Sequence, residues 1–307
     1  MPPTVVRSTL ELAGLSVPLV ELTGSGGGPL LTVIAGVHGC EYASMAAVRR
    51  WTLELEQREF RGRVRAVPVL NVQAFRQRAP FVVPEDGKNL NRCFPGNPDG
   101  TLADRLAHAT FTRLIAGSDA LIDAHCGDLV EALQPFALYE AGAAEDQARE
   151  LAVAYGLPFV IRQEAGPDSA VSGTSTGAAA VIGIPAITAE AGGCGLVEED
   201  AVAAHTAGLN GVLHALGMTD GGPAADNAAQ THLNRFLWLR CQRGGWWGPA
   251  VAAGEHVEAG QVIGTVTSLD GAELFESVTS PADGVVIFLT SSPAVGDDGL
   301  LPGLGAR

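Results

Sequence analysis

The amino-acid sequence predicts an α/β fold: a mixed, largely parallel sheet with helices on both faces, followed by a small C-terminal β domain. Three observations carry this expectation. Short apolar runs rich in β-branched residues alternate with segments of helical spacing up to Gly217. Residues able to do chemistry stand immediately after several of those runs. Beyond Gly217 the composition turns small and polar, then changes to short strand-like segments separated by turns. Strands alternating with helices imply a largely parallel sheet covered on both faces. Such sheets collect ligands outside the carboxyl ends of their strands.

The elements follow in order. Leu30–Val37 (LLTVIAGV) reads as a buried strand ending at Gly36. Glu41–Glu56 places Met45, Val48, Leu53 and Leu55 as the apolar candidates of a helix, so His38 and Glu41 sit on a strand-to-helix turn. Arg63–Asn71 reads as a second strand, and Ala120–Ala124 (ALIDA) as a third ending at His125. Ala144–Tyr155 reads as a helix, Pro158–Arg162 as a strand and Gly177–Ile182 as a small-residue helix. Pro185–Ala189 (PAITA) reads as a buried strand ending at Glu190, and Val197–Leu216 as a helix closed by Gly217. Thr219–Gln230 has the composition of a linker. Four later segments (FLWLRC, GQVIGTV, ELFESVTSP, GVVIFLT) read as strands. The expected division is a first domain over 1–218, a linker over 219–230 and a β domain over 231–307. No tandem repeat suggests a solenoid.

Bulk properties narrow the class. With 307 residues the chain can form one large domain or a medium and a small one. Hydrophobic residues at 47% against 17% charged support a sizeable core and exclude disorder. A net charge of −15 repels phosphate backbones, so nucleic acid is not an expected partner. Five scattered cysteines, Cys40, Cys93, Cys126, Cys194 and Cys241, form no CxxC pair, against both a disulfide framework and a cysteine zinc site. The beginning of the sequence has no signal-peptide pattern, and no apolar stretch is long enough to span a bilayer. The expectation is a cytoplasmic protein with no membrane association.

His38 and Glu41 form an H-x-x-E pair. A neutral imidazole and a carboxylate suit zinc, and three protein ligands leave one position open. Alone the pair is a weak signal; its place between a buried strand and a helix strengthens it. His125, at another strand end, is the candidate third ligand, although alone it also reads as a satisfied core histidine. Asp123 is a candidate partner for His125, although strand alternation would also place it beside the ligand rather than under it. Glu190, before AGG, suits a general base or equally a first-turn glutamate. The loop Asp86–Gly96 (DGKNLNRCFPG) offers Asn89, Asn91 and Arg92 to a substrate, or is simply a turn held by Asn and Pro.

In order, GVHGCE, DGKNLNR, DAHCG and ITAEAGG resemble the succinylglutamate desuccinylase and aspartoacylase family, zinc carboxypeptidase-like deacylases. The resemblance covers roughly residues 30–217. It implies one zinc ion on His38, Glu41 and His125, with Glu190 as the general base that activates water. It also implies Arg92 as the group that stabilises the developing oxyanion, with Asn91 helping to hold a substrate carboxylate. The implied substrate is a small N-acyl amino acid or related compound. Aspartoacylases proper also carry an arginine shortly before the catalytic glutamate and a tyrosine in the C-terminal domain; neither stands here. Arg76 and Arg78 are both candidates for a further family arginine.

Gly244–Gly264 with SPADGVVIFL resembles the hammerhead of lipoyl and biotinyl domains. A carrier role needs a lysine at the hairpin tip, and the chain's one lysine is Lys88. The β domain is expected to shape the site's entrance or to support a homo-oligomer. Trp246 and Trp247 read as core or as interface anchors. Two alternatives remain open: a metallocarboxypeptidase acting on a small peptide, and a non-catalytic binding protein on the same fold.

Overall fold

The computed structural model describes residues 2–164, 172–220 and 229–307. In chain order the first half carries β1 (Thr4–Leu12), β2 (Leu15–Thr23), β3 (Leu30–Ala35), α1 (Tyr42–Leu55), β4 (Arg63–Val67), α2 (Val72–Gln77) and α3 (Leu102–Thr110). Then come β5 (Ala120–His125), β6 (Glu131–Leu133), β7 (Phe136–Glu140), α4 (Glu145–Tyr155), β8 (Phe159–Gln163), α5 (Ser175–Val181), β9 (Ala186–Glu190) and α6 (Glu199–Ala215). The remainder is all strand: β10 (Thr231–Leu233), β11 (Arg235–Arg240), β12 (Gly245–Pro249), β13 (His256–Val257), β14 (Val262–Thr267), β15 (Leu274–Thr279), β16 (Gly284–Thr290), β17 (Ala294–Val295) and β18 (Leu300–Ala306).

Nine strands form the main sheet in the order β1-β2-β4-β3-β5-β9-β7-β8-β10. The centre, β4-β3-β5-β9, is parallel, while β7 runs antiparallel to β9 and the β1–β2 hairpin antiparallel to β4. The central strands are apolar because both faces are covered. Leu31, Val33 and Ala35 face a core shared with Met45, Val48, Trp51 and Leu55 of α1. Ile34 and Leu121 face the opposite core, with Leu102 and Leu106 of α3.

Most expected elements are present, with local differences. Leu53 is 54% exposed, because the buried row of α1 runs through Met45, Val48, Thr52 and Leu55 and leaves it outside. β4 stops at Val67, before Pro68, which has no N–H for the ladder; Asn71 instead caps α2, its side chain accepting from Ala74 N at 3.1 Å. β10, the first strand of the expected β domain, carries His232 and pairs in parallel with β8 in the main sheet. Of the linker expected at 219–230, residues 221–228 lie outside those described.

The C-terminal strands build two antiparallel sheets, β11-β18-β16-β13 and β15-β14-β12-β17. β6 joins the first of them, with Leu133 opposite Phe288. A seam of Phe136, Leu138, Ile161, Phe236, Val285, Ile287 and Phe288 packs this sheet against the edge of the main one. Strand β18 carries Pro302 and two glycines, a poor strand signal, and packing explains it. A Cβ on Gly303 would lie 2.2 Å from the Phe288 ring. Trp247 is fully buried, its indole N–H donating to the Thr290 carbonyl at 3.1 Å, while Trp246 is 53% exposed. All five cysteines are free. Among the described residues no helix is long and apolar enough to cross a membrane.

Candidate active site

The site lies at the carboxyl ends of the parallel strands. β3 runs into the loop carrying His38, and α1 begins after Glu41. Asn71 steadies that loop, its Nδ2 donating to the Val37 carbonyl at 3.3 Å. β5 ends on His125 and the adjacent β9 ends on Glu190, the two residues directly paired in register. Three strand ends therefore converge on one point.

Glu41 sits at the N-cap of α1, where the helix dipole favours an anion, yet its side chain does not cap the helix. It reaches across instead, its Oε1 lying 2.6 Å from His38 Nδ1 and its Oε2 2.8 Å from His125 Nδ1. Cys126 N donates to the same Oε2 at 3.2 Å. One ligand atom from each of His38, Glu41 and His125 lies within 4.8 Å of the others, and all three residues are buried.

The far nitrogens of both rings are held. Asn89 Oδ1 lies 3.0 Å from His38 Nε2, and Asp123 Oδ1 lies 3.1 Å from His125 Nε2. Asp123 is fully buried and its other oxygen accepts from the Ser175 hydroxyl. Residues two apart on a strand share a face, so Asp123 stands under His125 as the candidate partner, not merely beside it. Fixed outer nitrogens leave both Nδ1 atoms turned inward, as metal-ligating histidines require.

The electrostatics agree with a cation site. Burial alone would raise the Glu41 carboxyl, but His125 and His38 bring it down to about 2. Burial alone would lower His125, but Asp123 and Glu41 hold it well above the ordinary imidazole value. His38 is raised too: Glu41 overcomes the effect of burial. The cluster thus draws protons onto its rings to balance buried carboxylates. A divalent cation among the Nδ1 atoms and Glu41 would displace those protons and supply the same charge. The donor set, two imidazoles and a carboxylate, is one that suits zinc.

Beside this group is a cavity that His38 and His125 themselves line. Its polar wall includes Asn91, Arg92, Thr174, Thr188 and Glu190. Leu133, Phe136, Leu138, Phe236, Trp238 and Phe288 form an apolar wall opposite. The Phe236 ring stands 5.3 Å from Phe136 and 5.1 Å from Trp238. A second, outer cavity shares His38, Arg92, Glu131, Glu190 and Trp238, and adds Phe81, Asn89 and Arg240.

Glu190 is pushed well above the carboxylate range by burial, reinforced by Glu41, Glu131 and Asp123 against the pull of His125. Arg92 keeps contact with solvent, and its guanidinium donates to the Asn91 carbonyl at 2.6 Å. Loss of water around it, and secondarily the charge of Arg240, lower its pKa. The Asn91 side chain accepts from Ser175 N at 3.0 Å and lies 3.4 Å from His125 Nε2. Asn89 is already engaged, its oxygen accepting from Asn91 N at 2.8 Å as well as facing His38. Arg76 and Arg78 are both exposed and line neither cavity.

Sequence reasoning did not find Glu131. This carboxyl, pushed up to about 7 by burial, lines both cavities, and its Oε2 accepts from Asp128 N at 3.0 Å. Its backbone packs tightly: a Cβ on Gly193 would stand 2.2 Å from the Glu131 carbonyl oxygen. The glycine in EAGG that follows Glu190 was a signal of such an approach, though not of what approaches. His205, on α6, is fully buried with Nδ1 2.7 Å from the Tyr155 hydroxyl.

Comparison with known proteins shows the family. Residues 27–216 match the model of the succinylglutamate desuccinylase/aspartoacylase catalytic domain. An N-alpha-acetyl-L-2,4-diaminobutyric acid deacetylase from Halomonas elongata is 31% identical over 257 residues, covering 80% of this chain and 73% of the relative. The crystal structure of a succinylglutamate desuccinylase/aspartoacylase from Rhodobacter sphaeroides superposes with a TM-score of 0.81 at 25% identity, over 98% of this chain and 94% of the other. The apo structure of the ectoine utilization protein EutE (DoeB) from Ruegeria pomeroyi gives a TM-score of 0.80 at 25% identity, over 100% and 96% of the two chains. The chain belongs to the succinylglutamate desuccinylase/aspartoacylase family, a family of deacylases acting on N-acyl amino acids.

Proposed function

We propose that this chain is a zinc-dependent deacylase that hydrolyses the amide bond of a small N-acyl amino acid with an activated water. The observation that carries the reading is the buried His38–Glu41–His125 group, with both Nδ1 atoms turned inward beside a cavity that also holds Glu190. These three residues would hold the ion, and one ion per chain follows from one such group among the described residues. When bound, zinc would supply a Lewis acid that polarises the scissile carbonyl and makes a water easier to deprotonate.

The chain's own residues would do the rest. Glu190 takes the proton from the attacking water at a carboxylate oxygen and returns it to the departing amine nitrogen. A carboxyl with a raised pKa suits both halves of that task, because it neither holds nor releases the proton too firmly. Arg92 offers guanidinium N–H groups to the oxygen on which negative charge develops. Asn91, tied to Ser175 and close to His125, sets the floor beside it. Asn89 holds His38 and so supports the metal group. The apolar wall excludes water and seats an uncharged acyl group such as acetyl.

Roofing of the cavity by Phe236, Trp238 and Phe288 favours a small substrate over a peptide. Hydrolysis of a panel of N-acetyl and other N-acyl amino acids, before chelation, after it and with zinc restored, tests the proposal. Chelator-sensitive, zinc-restored hydrolysis of at least one member is expected. No hydrolysis of any of them with zinc present would refute it.

A further inference from the structure

Strand β11 sends alternate residues toward the site. Phe236 and Trp238 line the inner cavity, and Trp238 and Arg240 line the outer one. The row therefore runs from a buried aromatic ring to a cation at the mouth. Arg240 is half exposed, with NH1 donating to the Asp298 carbonyl at 2.7 Å and lying 3.6 Å from the exposed Asp298 carboxylate. The remaining N–H groups of its fork stay available. Across the same outer cavity stands Arg92, close enough for the two charges to affect each other. Among the described residues no carboxylate pairs with Arg92, whose bond is to a main-chain carbonyl. The cavity is also lined by Glu41, Glu131 and Glu190, so what marks Arg240 is the set of free N–H groups it brings to this wall. A guanidinium fork fits a carboxylate with two parallel bonds.

We propose that Arg240 clamps the carboxylate of the N-acyl amino acid at the cavity mouth and is a specificity-determining residue, while Arg92 keeps its place at the developing oxyanion. The inference rests on the deacylase reading. Trp238, between the two cavities, separates the apolar acyl seat from the charged mouth. Its indole N–H is buried with no acceptor among the described residues. The clamp requires a free carboxylate, so the same compound as a carboxamide should bind poorly.

The test compares each N-acyl amino acid with its uncharged carboxamide, using zinc-loaded wild type, Arg240→Met and Arg240→Lys. Wild type should prefer the acid. Arg240→Met should reduce that preference in kcat/KM by about 10- to 100-fold, the usual worth of a hydrogen bond to a charged group. The loss should fall on KM rather than kcat, and Arg240→Lys should recover part of it. Inhibition of wild type by the free amino acid should likewise exceed inhibition by its amide, a result that needs no variant to fold. Wild type active but with an unchanged acid-to-amide ratio in Arg240→Met overturns the clamp alone. Equal inhibition by acid and amide does the same. Wild type inactive on every compound with zinc present contradicts the deacylase reading instead.

Discussion

Replacing Asp123 by Asn removes one negative charge from beside His125 Nε2 and changes little else. The side chain is fully buried, and Asn has nearly the same shape. Its oxygen can still accept from Nε2–H across the present 3.1 Å, and its amide can still bond the Ser175 hydroxyl. What is lost is the charge that raises the basicity of Nδ1, the atom turned toward Glu41. Changes to such supporting groups cost about 10- to 100-fold in metal affinity. Asp123→Asn should fall near the low end, about tenfold or ~1.4 kcal/mol, because the contacts to Nε2 and to the Ser175 hydroxyl both survive. Asp123→Ala leaves Ser175 and the imidazole without their partner and should approach about 100-fold, ~2.7 kcal/mol. Zinc affinity measured by competition with a chelator of known strength reads both values. An Asn variant within about twofold of wild type would refute the reasoning, since outer partners of true ligands cost more than that. Asp123 would then serve the fold and not the metal.

Other outcomes follow from the same geometry. Glu190→Gln should keep its zinc and lose about 10²- to 10⁴-fold in turnover, the usual worth of a general base; a near-normal rate there with a collapse in Glu131→Gln would move the base to Glu131. Glu140 is buried, accepts from Thr174 and Thr176, and has its carboxyl raised by burial to about 7. A raised carboxyl stabilises nothing extra when protonated and costs stability as pH rises from its unfolded value through 7, here up to about 3 kcal/mol. Glu140→Gln should therefore gain stability on wild type between pH 5 and pH 8 in denaturation at each pH; a gain that does not change with pH would contradict the assignment. Trp247→Ala should cost about 3–5 kcal/mol in chemical denaturation, whereas Trp246→Ala should cost within about 0.5 kcal/mol. A large loss for Trp246 in a variant that also dissociates would restore the interface reading of that residue.

The local parts of the site were legible in the sequence. Strand ends leave a signature, a β-branched run followed by glycine or a polar residue, and His38, His125 and Glu190 all stand at one. Glu41 was legible because its spacing from His38 matches a strand-to-helix turn. Parts made by distant pairing were not. Glu131 lies on a strand three residues long, β6, whose partner β16 begins at Gly284. Arg240 and Trp238 reach the site only because β18 and β16 carry β11 to it. No local pattern reports such a return of the chain. β18 hides its strand character behind two glycines, Gly303 demanded by the Phe288 ring and Gly305 by the Leu233 and Ile287 side chains. Asn89 was legible as a site residue but not in its direction, since a side-chain oxygen can face a ligand or a histidine equally well from the same loop.

The central claim is that His38, Glu41 and His125 hold one metal ion. The most direct measurement is anomalous diffraction at the zinc edge from crystals of the zinc-loaded protein. A single strong peak among His38 Nδ1, His125 Nδ1 and the Glu41 carboxylate, lost in His125→Ala, is the expected result. A zinc-loaded protein with no peak there, or with its peak elsewhere on the chain, would contradict the account.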